Sequence, residues 1–322
     1  METQITSDAW ATPLAPYPIT VAEPAGSMIG TNFVMFSGFK NGYSNATTET
    51  YSLDMSVPNA IWKRMDDMPS VEGITHQGLV VIGMKAYLCG GYMGGSLGIS
   101  TDRCFVYDHS KSAGRQWSNI SSLPKGGRSS GAMIYDLTLN AIFYAGGSQR
   151  STHGQPVAID YKDTWMYSFN NPAAGWVQQS DIPFYGNHMN SISILDSQGN
   201  NRHYIFGGQV GDYELWGNTA TMYEYVATAD KWIQRTSMPF ARGHSASAVR
   251  AIGCGFIVAG GRTNEGLTGD ITYYSSVDDT WQSIGRLPVD IHTNVCVVAF
   301  NMLRCEAGWS TGTFSTETSI YL

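Results

Sequence analysis

Hydrophobic and polar residues alternate along this chain in short runs, and four such runs recur in every segment of about 50 residues. Five of these segments end in the same way, on a tryptophan followed seven positions later by a proline. The five pairs are Trp62–Pro69, Trp117–Pro124, Trp176–Pro183, Trp232–Pro239 and Trp281–Pro288. Short alternating runs bounded by turn residues predict antiparallel strands, and a fixed period predicts a repeat protein built from similar four-stranded units.

Each tryptophan is preceded by an apolar run that closes on two small residues. These closures are Ser37-Gly38, Gly90-Gly91, Gly146-Gly147, Gly207-Gly208 and Gly260-Gly261. Glycine lets the backbone turn where a Cβ atom would clash, so each closure predicts the end of a second strand. A run containing tyrosine then predicts a third strand. Its ring and the following tryptophan are expected to fill the space between adjacent sheets.

The order of apolar run, small pair, tyrosine strand, tryptophan and proline turn resembles the kelch motif, and the resemblance covers nearly the whole chain. It implies an all-β fold, a six-bladed kelch-type β-propeller with four antiparallel strands per blade. Galactose oxidase contains a propeller of the same kelch type, with a seventh blade and further domains that this chain lacks. One domain is expected over residues 1–322. Its approximate blades are 19–69, 70–124, 125–183, 184–239, 240–288, and 289–322 together with 7–18.

The sixth blade is expected to combine both ends of the chain. Residues 294–299, 301–306 and 318–322 predict three strands, and Gly308-Trp309 stands in place of the diglycine. Trp10 precedes prolines at 16 and 18, so an N-terminal strand is expected to complete the blade and remove an exposed sheet edge. On this prediction the six blades use the whole chain and leave no separate adaptor domain.

Composition excludes several classes of partner. The net charge is −7, and lysine and arginine form no cluster, which argues against nucleic acid and anionic membrane surfaces. No apolar run is long enough to predict a membrane span. Residues 1–11 are polar and lack the plan of a secretory signal. We expect a monomer that is extracellular if a signal peptide has been removed, and cytoplasmic otherwise.

The five cysteines cannot all pair within the chain. Cys296 and Cys305 flank one predicted hairpin at nearly equal distances from its turn, which predicts a cross-strand disulfide on one interpretation. On the other interpretation all five cysteines are small buried apolar residues. Asn45 and Asn119 lie in acceptor sequences for N-glycosylation, as in many secreted β-proteins.

Histidines recur where the first strand of a blade is expected to begin. His76, His188, His244 and His292 lie four to seven residues after blade-closing prolines, and Arg128 occupies the comparable place in the third blade. Imidazoles that converge on a central channel could hold a divalent metal such as zinc, copper or iron. The alternative role is structural, because the Arg-x-His sequences of kelch repeats typically hydrogen-bond the backbone between blades.

A second set of candidate binding residues follows the diglycines. Their loops and the entry loops are expected to open on one face of the propeller, which is the default binding surface. Aromatic and arginine side chains are enriched at binding hot spots, and aromatic rings beside polar groups also suit sugars. The candidates are Tyr92, Arg150, Tyr213, Trp216, Arg262 and Trp309. Packing of the two tryptophans on their own blades is the alternative.

Motifs for catalysis are weak. Residues 94–98 and 308–312 match G-x-S-x-G, but a nucleophile elbow needs a following helix, which an all-β chain lacks. Some kelch relatives are enzymes. The iron motif of the plant specifier proteins is absent here. Neither the copper site of galactose oxidase nor the active site of the sialic-acid epimerases can be placed on particular residues.

Two functions are therefore predicted. The first is a binding propeller that recognises a protein or glycan ligand on the loop-rich face around the central channel. The alternative is an enzyme, either a sugar isomerase or epimerase or a metal-dependent oxidoreductase or lyase, with its site at the histidine-lined mouth. No cofactor is assigned beyond the divalent metal that the histidines could hold in the channel.

Overall fold

The computed structural model describes residues 15–40, 45–95, 98–152, 159–211, 217–299, 302–310, 313–314 and 318–321. In these residues the chain forms many small antiparallel sheets, which confirms the all-β prediction. The helices in the described part are three single 3₁₀ turns, Pro172–Ala174, Ala227–Ala229 and Ala246–Ala248. None of them is long and apolar enough to cross a membrane.

Five sheets have four strands each, and within each sheet the strands are neighbours in chain order. The first sheet contains Ala25–Ile29, Asn32–Phe36, Thr50–Asp54 and Lys63–Arg64; the second contains Gly78–Ile82, Lys85–Cys89, Cys104–Asp108 and Trp117–Ile120; the third contains Ala132–Asp136, Ala141–Ala145, Thr164–Ser168 and Trp176–Gln179. The fourth contains Asn190–Leu195, Asn201–Phe206, Met222–Val226 and Lys231–Arg235; the fifth contains Val249–Ile252, Gly255–Thr263, Gly266–Ser275 and Thr280–Arg286. A sixth sheet contains Val295–Ala299, Met302–Glu306 and Thr318–Tyr321.

Shorter strands form mainly within the loops that follow the small pairs. They are Phe39–Lys40 with Asn45–Ala46; Ile74–Thr75 with Tyr92–Met93 and Ile99–Ser100; Ser148–Gln149 with Ile159–Asp160; and Trp309–Ser310 with Thr313–Phe314. Ile74–Thr75 belongs to an entry loop, and isolated bridges join other entry loops to these loops: Ala22 with Phe39, Ser129 with Ser148, Asn187 with Gln209, Gly243 with Arg262, and His292 with Trp309. Backbone pairing therefore holds the two sets of predicted binding loops together.

Each sheet packs its apolar side chains against the next sheet in the chain, and six buried clusters lie between successive pairs of sheets. One of these clusters joins the sixth sheet to the first, because Val295 and Val297 pack with Phe33. The approach there is close: a Cβ atom on Gly26 would lie 2.7 Å from a methyl carbon of Val295. The sheets are thus arranged as in a propeller-like fold, with their first strands side by side.

The tryptophans tie each sheet to the preceding part of the chain through a repeated hydrogen bond. The indole N–H donors and carbonyl acceptors are Trp62 to Ala15 (2.8 Å), Trp117 to Asp66 (2.9 Å), Trp176 to Ser121 (2.8 Å), Trp232 to Ser180 (2.9 Å) and Trp281 to Thr236 (2.9 Å). Trp62 is buried, with Tyr17 packed against it, whereas the other four are half-buried. The expectation that these rings are buried between sheets therefore holds fully only for Trp62.

Residues 15–21 lie at the junction of the sixth and first sheets. Tyr17 is buried there, with its ring edge-on to Trp62 at 4.9 Å between centroids. The backbone N–H of Gly308 donates to the carbonyl of Val21 at 3.2 Å. Trp10 and the greater part of the predicted N-terminal strand, residues 7–14, lie outside the described residues. The three predicted strands of the sixth sheet are confirmed to within one residue.

Four of the five cysteines form disulfides. Cys296 and Cys305 face each other across two strands of the sixth sheet, with a Cα–Cα distance of 4.0 Å, which confirms the predicted pair. Cys89 and Cys104 form a second disulfide across the second sheet, which the sequence analysis did not predict. Cys254 is free. The alternative, in which all five are unpaired, is wrong for this structure.

Candidate functional site

Six residues at the starts of the sheets share a left-handed backbone conformation, with φ between 49° and 59°. Such φ values are uncommon for residues other than glycine, so their recurrence marks one turn that every entry loop adopts. Backbone bonds connect neighbouring turns: the N–H of Ser130 donates to His76, and the N–H of Thr293 donates to His244, each at 2.8 Å. We call these six residues the entry ring: Glu23, His76, Ser130, His188, His244 and Thr293.

Arg128 does not belong to this ring, contrary to the sequence prediction. It lies two residues before Ser130, its guanidinium stacks on the ring of Tyr161 at 3.5 Å, and its Nη2 is 3.4 Å from a carboxylate oxygen of Asp163. It is buried, and among the described residues its guanidinium donates to the carbonyls of Lys125 and Gly127 and to the carboxylate of Asp163. The side chain therefore supports the third sheet and is not positioned to bind a ligand with the histidines.

His292 precedes the ring position of Thr293 by one residue, so its alignment with the other histidines in the sequence was off by one. Its backbone pairs with that of Trp309 through two hydrogen bonds of 3.1 and 3.0 Å, and the two rings lie edge to face at 5.4 Å. This pairing turns the imidazole towards His244, at 5.5 Å between ring centroids. His292 thus contributes its side chain to the same site from the position one residue before the entry-ring residue Thr293.

The imidazoles form a continuous chain of contacts. The ring of His188 stacks on His244 at 3.9 Å between centroids, and it lies edge-on to His76 at 4.9 Å. His76, His188, His244 and Glu23 line a cavity of about 60 Å³. We call these four residues and His292 the mouth cluster. The structure therefore brings together all four histidines that the sequence singled out.

A second, larger cavity of about 650 Å³ continues from the mouth cluster along the first strands of the sheets. Gln77, Gly131 and Met189 line both cavities, so the two spaces adjoin. The mouth cluster consequently stands at one end of a wide lumen, where a bound molecule could contact the imidazoles.

Burial keeps these histidines uncharged. It lowers the pKa of His76 to about 3 and that of His292 to about 4, and nearby arginine charge contributes to both shifts. Burial also lowers the pKa of His188 and His244 well below the usual range of histidine, with further lowering from the neighbouring imidazoles. At neutral pH each ring can therefore accept a hydrogen bond or ligate a metal through a free nitrogen.

Glu23 is the member of the cluster that the sequence analysis missed. Burial raises the pKa of its carboxyl to about 8, although the charge of Arg262 acts in the opposite direction. One of its oxygens lies 3.7 Å from Nε2 of His76. Donor atoms of Glu23, His244 and His292 all lie within 4.8 Å of one another. The available signal was spacing, because Glu23 follows Pro18 by five residues, as His244 follows its own proline.

Two of the histidines are anchored by hydrogen bonds and two are not. Nδ1 of His76 shares a hydrogen bond with Oγ1 of Thr75 at 2.9 Å, and Nδ1 of His188 shares one with the side chain of Asn187. The buried Nδ1 atoms of His244 and His292 have no hydrogen-bond partner among the described residues. Buried polar atoms are usually paired, so these two nitrogens are candidates for contact with a bound species.

Residues that follow the small pairs extend the site on one side. The ring of Tyr92 lies 5.2 Å from His76, its hydroxyl is 2.9 Å from Oγ of Ser148, and the guanidinium of Arg150 sits 4.8 Å from its centre. Both Tyr92 and Arg150 are buried. The two predicted candidates are therefore part of the wall around the cluster and not an exposed rim.

Arg262 is placed differently. Its backbone pairs with Gly243 through two hydrogen bonds of 2.9 Å, next to His244, and no side-chain hydrogen bond or ion pair of its guanidinium is seen among the described residues. Its charge lowers the pKa of His292 and of the other two nearest imidazoles. Tyr213 and Trp216, the remaining predicted binding residues, lie outside the described residues.

Comparison with known proteins gives a fold relationship only. No family model and no curated protein matches the chain. Among solved structures, the one described as "Structure of YjhT" superposes with a TM-score of 0.73 over 95% of each chain, at 15% sequence identity. At that identity the likeness concerns the β-rich fold and carries no function to this chain.

Proposed function

We propose that the six sheets are the blades of a six-bladed kelch-type propeller that residues 15–18 help to close. The support is the equivalence of the junctions: the sixth and first sheets share a buried cluster like those between other sheets. The acceptor of the Trp62 indole is Ala15, three residues before Pro18, and the corresponding acceptors Asp66 and Ser121 also stand three residues before a proline. Such a closure leaves no blade with an uncovered apolar face.

We propose further that this propeller is a binding protein for a small glycan, which it holds at the mouth cluster. The observation that carries the proposal is the convergence of four imidazoles and the half-buried carboxyl of Glu23 at one end of a lumen, with Arg262 next to His244. Neutral imidazoles and a protonated carboxyl can each donate and accept hydrogen bonds, which matches the hydroxyl groups of a sugar. The half-buried ring of Trp309 lies beside His292 and supplies an aromatic surface next to these polar groups.

A glycan fits this site better than a protein segment does. The cavity at the cluster, about 60 Å³, has the size of a few hydroxyl groups or waters, since one water occupies roughly 30 Å³ in the liquid. The adjoining lumen of about 650 Å³ accommodates a sugar ring, which a strand or helix of a partner would overfill at the mouth. The glycan half of the first prediction is therefore the one that we retain.

The test is a glycan array followed by calorimetric titration of the best ligand. Arg262→Ala is expected to weaken binding at least about tenfold, since a charge-assisted hydrogen bond contributes roughly 1.5–3 kcal/mol. Arg115→Ala, which changes an exposed arginine in a loop of the second sheet, is the matched control. Equal affinity of parent and Arg262→Ala proteins, or a ligand whose binding is blocked only by loop variants far from the cluster, would refute the site.

An enzyme at the same place is the second candidate, either a sugar isomerase or epimerase or a metal-dependent oxidoreductase or lyase. It is favoured by Glu23, because a carboxyl whose pKa is about 8 exchanges its proton near neutral pH beside neutral imidazoles. Proton NMR of the bound sugar with and without protein distinguishes the two functions. Faster exchange between anomers or epimers, lost in Glu23→Gln, supports catalysis, whereas unchanged rates support binding alone.

A further inference from the structure

We propose that Glu23, His244 and His292 bind one divalent first-row transition-metal ion at the mouth cluster. One carboxylate oxygen and one nitrogen from each ring lie within 4.8 Å of one another. Donors bound to a common ion at about 2.1 Å stand roughly 3–4 Å apart, so small side-chain rotations bring these three into coordinating positions. This set replaces the four-histidine set that the sequence suggested, in which the carboxylate had no part.

The donor types select the class of metal. Imidazole suits zinc, iron, copper and nickel, whereas calcium and magnesium prefer oxygen ligands throughout. Two histidines with one carboxylate are used by catalytic zinc sites and by non-haem iron sites, and both types leave coordination positions open. Three protein ligands are consequently enough here, and the adjoining cavity offers room for water or for a bound oxygen atom of a ligand.

The surroundings lack what these three groups need when no cation is bound. Among the described residues Glu23 forms no ion pair with lysine or arginine, and one of its carboxylate oxygens lies 3.7 Å from Nε2 of His76. His292 is only 7% exposed, and its Nδ1 and that of His244 have no hydrogen-bond partner in the described part of the chain. A buried carboxylate and unpaired ring nitrogens are costly, and coordination to one cation satisfies all three.

The backbone holds the ligands in place before any metal arrives. Glu23 follows Ala22, whose N–H and carbonyl both pair with Phe39 at 3.1 and 2.7 Å. His292 pairs in the same way with Trp309, and the carbonyl of His244 accepts the N–H of Thr293. The three ligands therefore come from three rigid entry loops, which favours a preformed site.

Neighbouring groups complete the site without ligating the ion. His188 stacks on His244 and orients that ring, and Oγ of Ser130 is 3.4 Å from Nε2 of His188. Arg262 lies beside the site, because its backbone pairs with that of Gly243, the residue before His244. Its positive charge opposes cation binding and the carboxylate of Glu23 offsets that effect, while the guanidinium suits an anionic or hydroxylated ligand bound to an open position of the ion.

The experiment uses full-length protein without a histidine tag. After treatment with a chelator and dialysis, Zn²⁺ binding is measured by competition with a chromophoric chelator, and Co²⁺ binding by visible absorption. We expect about one ion per chain, with affinity reduced about 100-fold or more in Glu23→Gln and His292→Asn, since even outer-shell changes at metal sites cost 10–100-fold. His109→Asn is the matched control, because His109 lies in the turn after the strand Cys104–Asp108, where its ring contacts Tyr107 instead of the cluster.

Glu23→Gln keeps the size of the side chain and removes a buried acid, so it is the variant most certain to fold, and its thermal unfolding is recorded alongside. No saturable Zn²⁺ or Co²⁺ binding in the parent protein would overturn the proposal, as would equal affinity in Glu23→Gln and parent proteins. This ligand set would also be overturned if His76→Asn abolished metal binding while His292→Asn left it unchanged. Glycan titrations are run separately in the presence of chelator. Glycan binding without metal supports the proposed function whether or not metal binds, and absence of glycan binding does not alter the conclusion from the metal titrations.

Discussion

Tyr17 offers the sharpest test of the proposal that residues 15–21 help to close the structure. The side chain is 4% exposed and packs edge-on to both Trp62 and Tyr51, at 4.9 and 5.5 Å between ring centroids. Burying about 200 Å² of aromatic side chain at about 25 cal/mol per Å² stabilises the fold by up to ~5 kcal/mol. Compactness of the unfolded chain reduces this to roughly 3–4.5 kcal/mol. We expect Tyr17→Ala to lower the free energy of unfolding by that amount.

The hydroxyl of Tyr17 supplies an internal control. It is buried and has no hydrogen-bond partner among the described residues, so it contributes desolvation cost without a bond. Tyr17→Phe is therefore expected to leave stability unchanged or to raise it by about 1 kcal/mol at most, within the cost of an unsatisfied buried group. The two variants differ in ring packing alone, which separates the packing of the ring from any effect of the hydroxyl.

Urea denaturation followed by tryptophan fluorescence measures both variants, with thermal unfolding as a second assay. An unfolding entropy of about 2.1 cal/mol/K per residue gives ~0.68 kcal/mol/K for a chain of this length, so a loss of 4 kcal/mol lowers Tm by about 6 °C. Val71→Ala changes a side chain that is 99% exposed, so it should change neither the free energy of unfolding nor Tm. A loss below about 1 kcal/mol in Tyr17→Ala, typical of surface changes, would show that this segment does not close the ring of sheets.

Two further predictions concern the sheets themselves. The buried carboxylate of Glu224 accepts hydrogen bonds from Arg202 at 2.7 Å and from Nε of Arg235 at 2.6 Å. Burial is the largest single influence on its pKa and raises it. The two arginines together outweigh burial, so the pKa of Glu224 is lowered. A lowered pKa stabilises the folded protein at pH values above the unfolded pKa, near 4.5, and this stabilisation is lost as pH falls through the folded pKa. Glu224→Gln should therefore destabilise the protein at pH 7 and much less at pH 3, as measured by urea denaturation. Replacing Cys296 and Cys305 together by alanine should lower stability by about 2–3 kcal/mol in oxidising buffer, from loss of a crosslink nine residues apart. The same double variant and the parent should converge when both are reduced, and a difference that persists in reductant would assign the loss to packing.

The sheets could be predicted from the sequence because their signals are local. A tryptophan and a proline seven residues apart mark one outer strand and the turn after it, so the strand that begins at Trp117 needs no long-range information. The strand Val295–Ala299 was placed to within one residue for the same reason, since its apolar run is bounded by polar residues. Cys89 and Cys104 escaped prediction because their pairing depends on the register of a long connection between two strands.

The site could be predicted only in part because it depends on loop register. Histidine spacing from proline varies by up to three residues between blades, so Arg128 and His292 were aligned with positions they do not share. The left-handed turn that defines the ring is a backbone property, and neither Ser130 nor Thr293 carries a distinctive side chain to reveal it. Glu23 became recognisable only when residues 15–18 were seen to occupy the place of a blade-closing segment.

The left-handed turns of the entry ring also limit which amino acids can occupy the site in related chains. Asparagine, aspartate, histidine and glycine adopt this conformation at low cost, whereas valine and isoleucine are strongly disfavoured there. The six positions around the axis are thus biased by the backbone towards small or polar side chains, whatever molecule is bound. Each position precedes the first strand of a different sheet, so one substitution exchanges one donor without changing the sequence of any strand. Divergence of ligand preference in proteins of this architecture can therefore proceed one residue at a time.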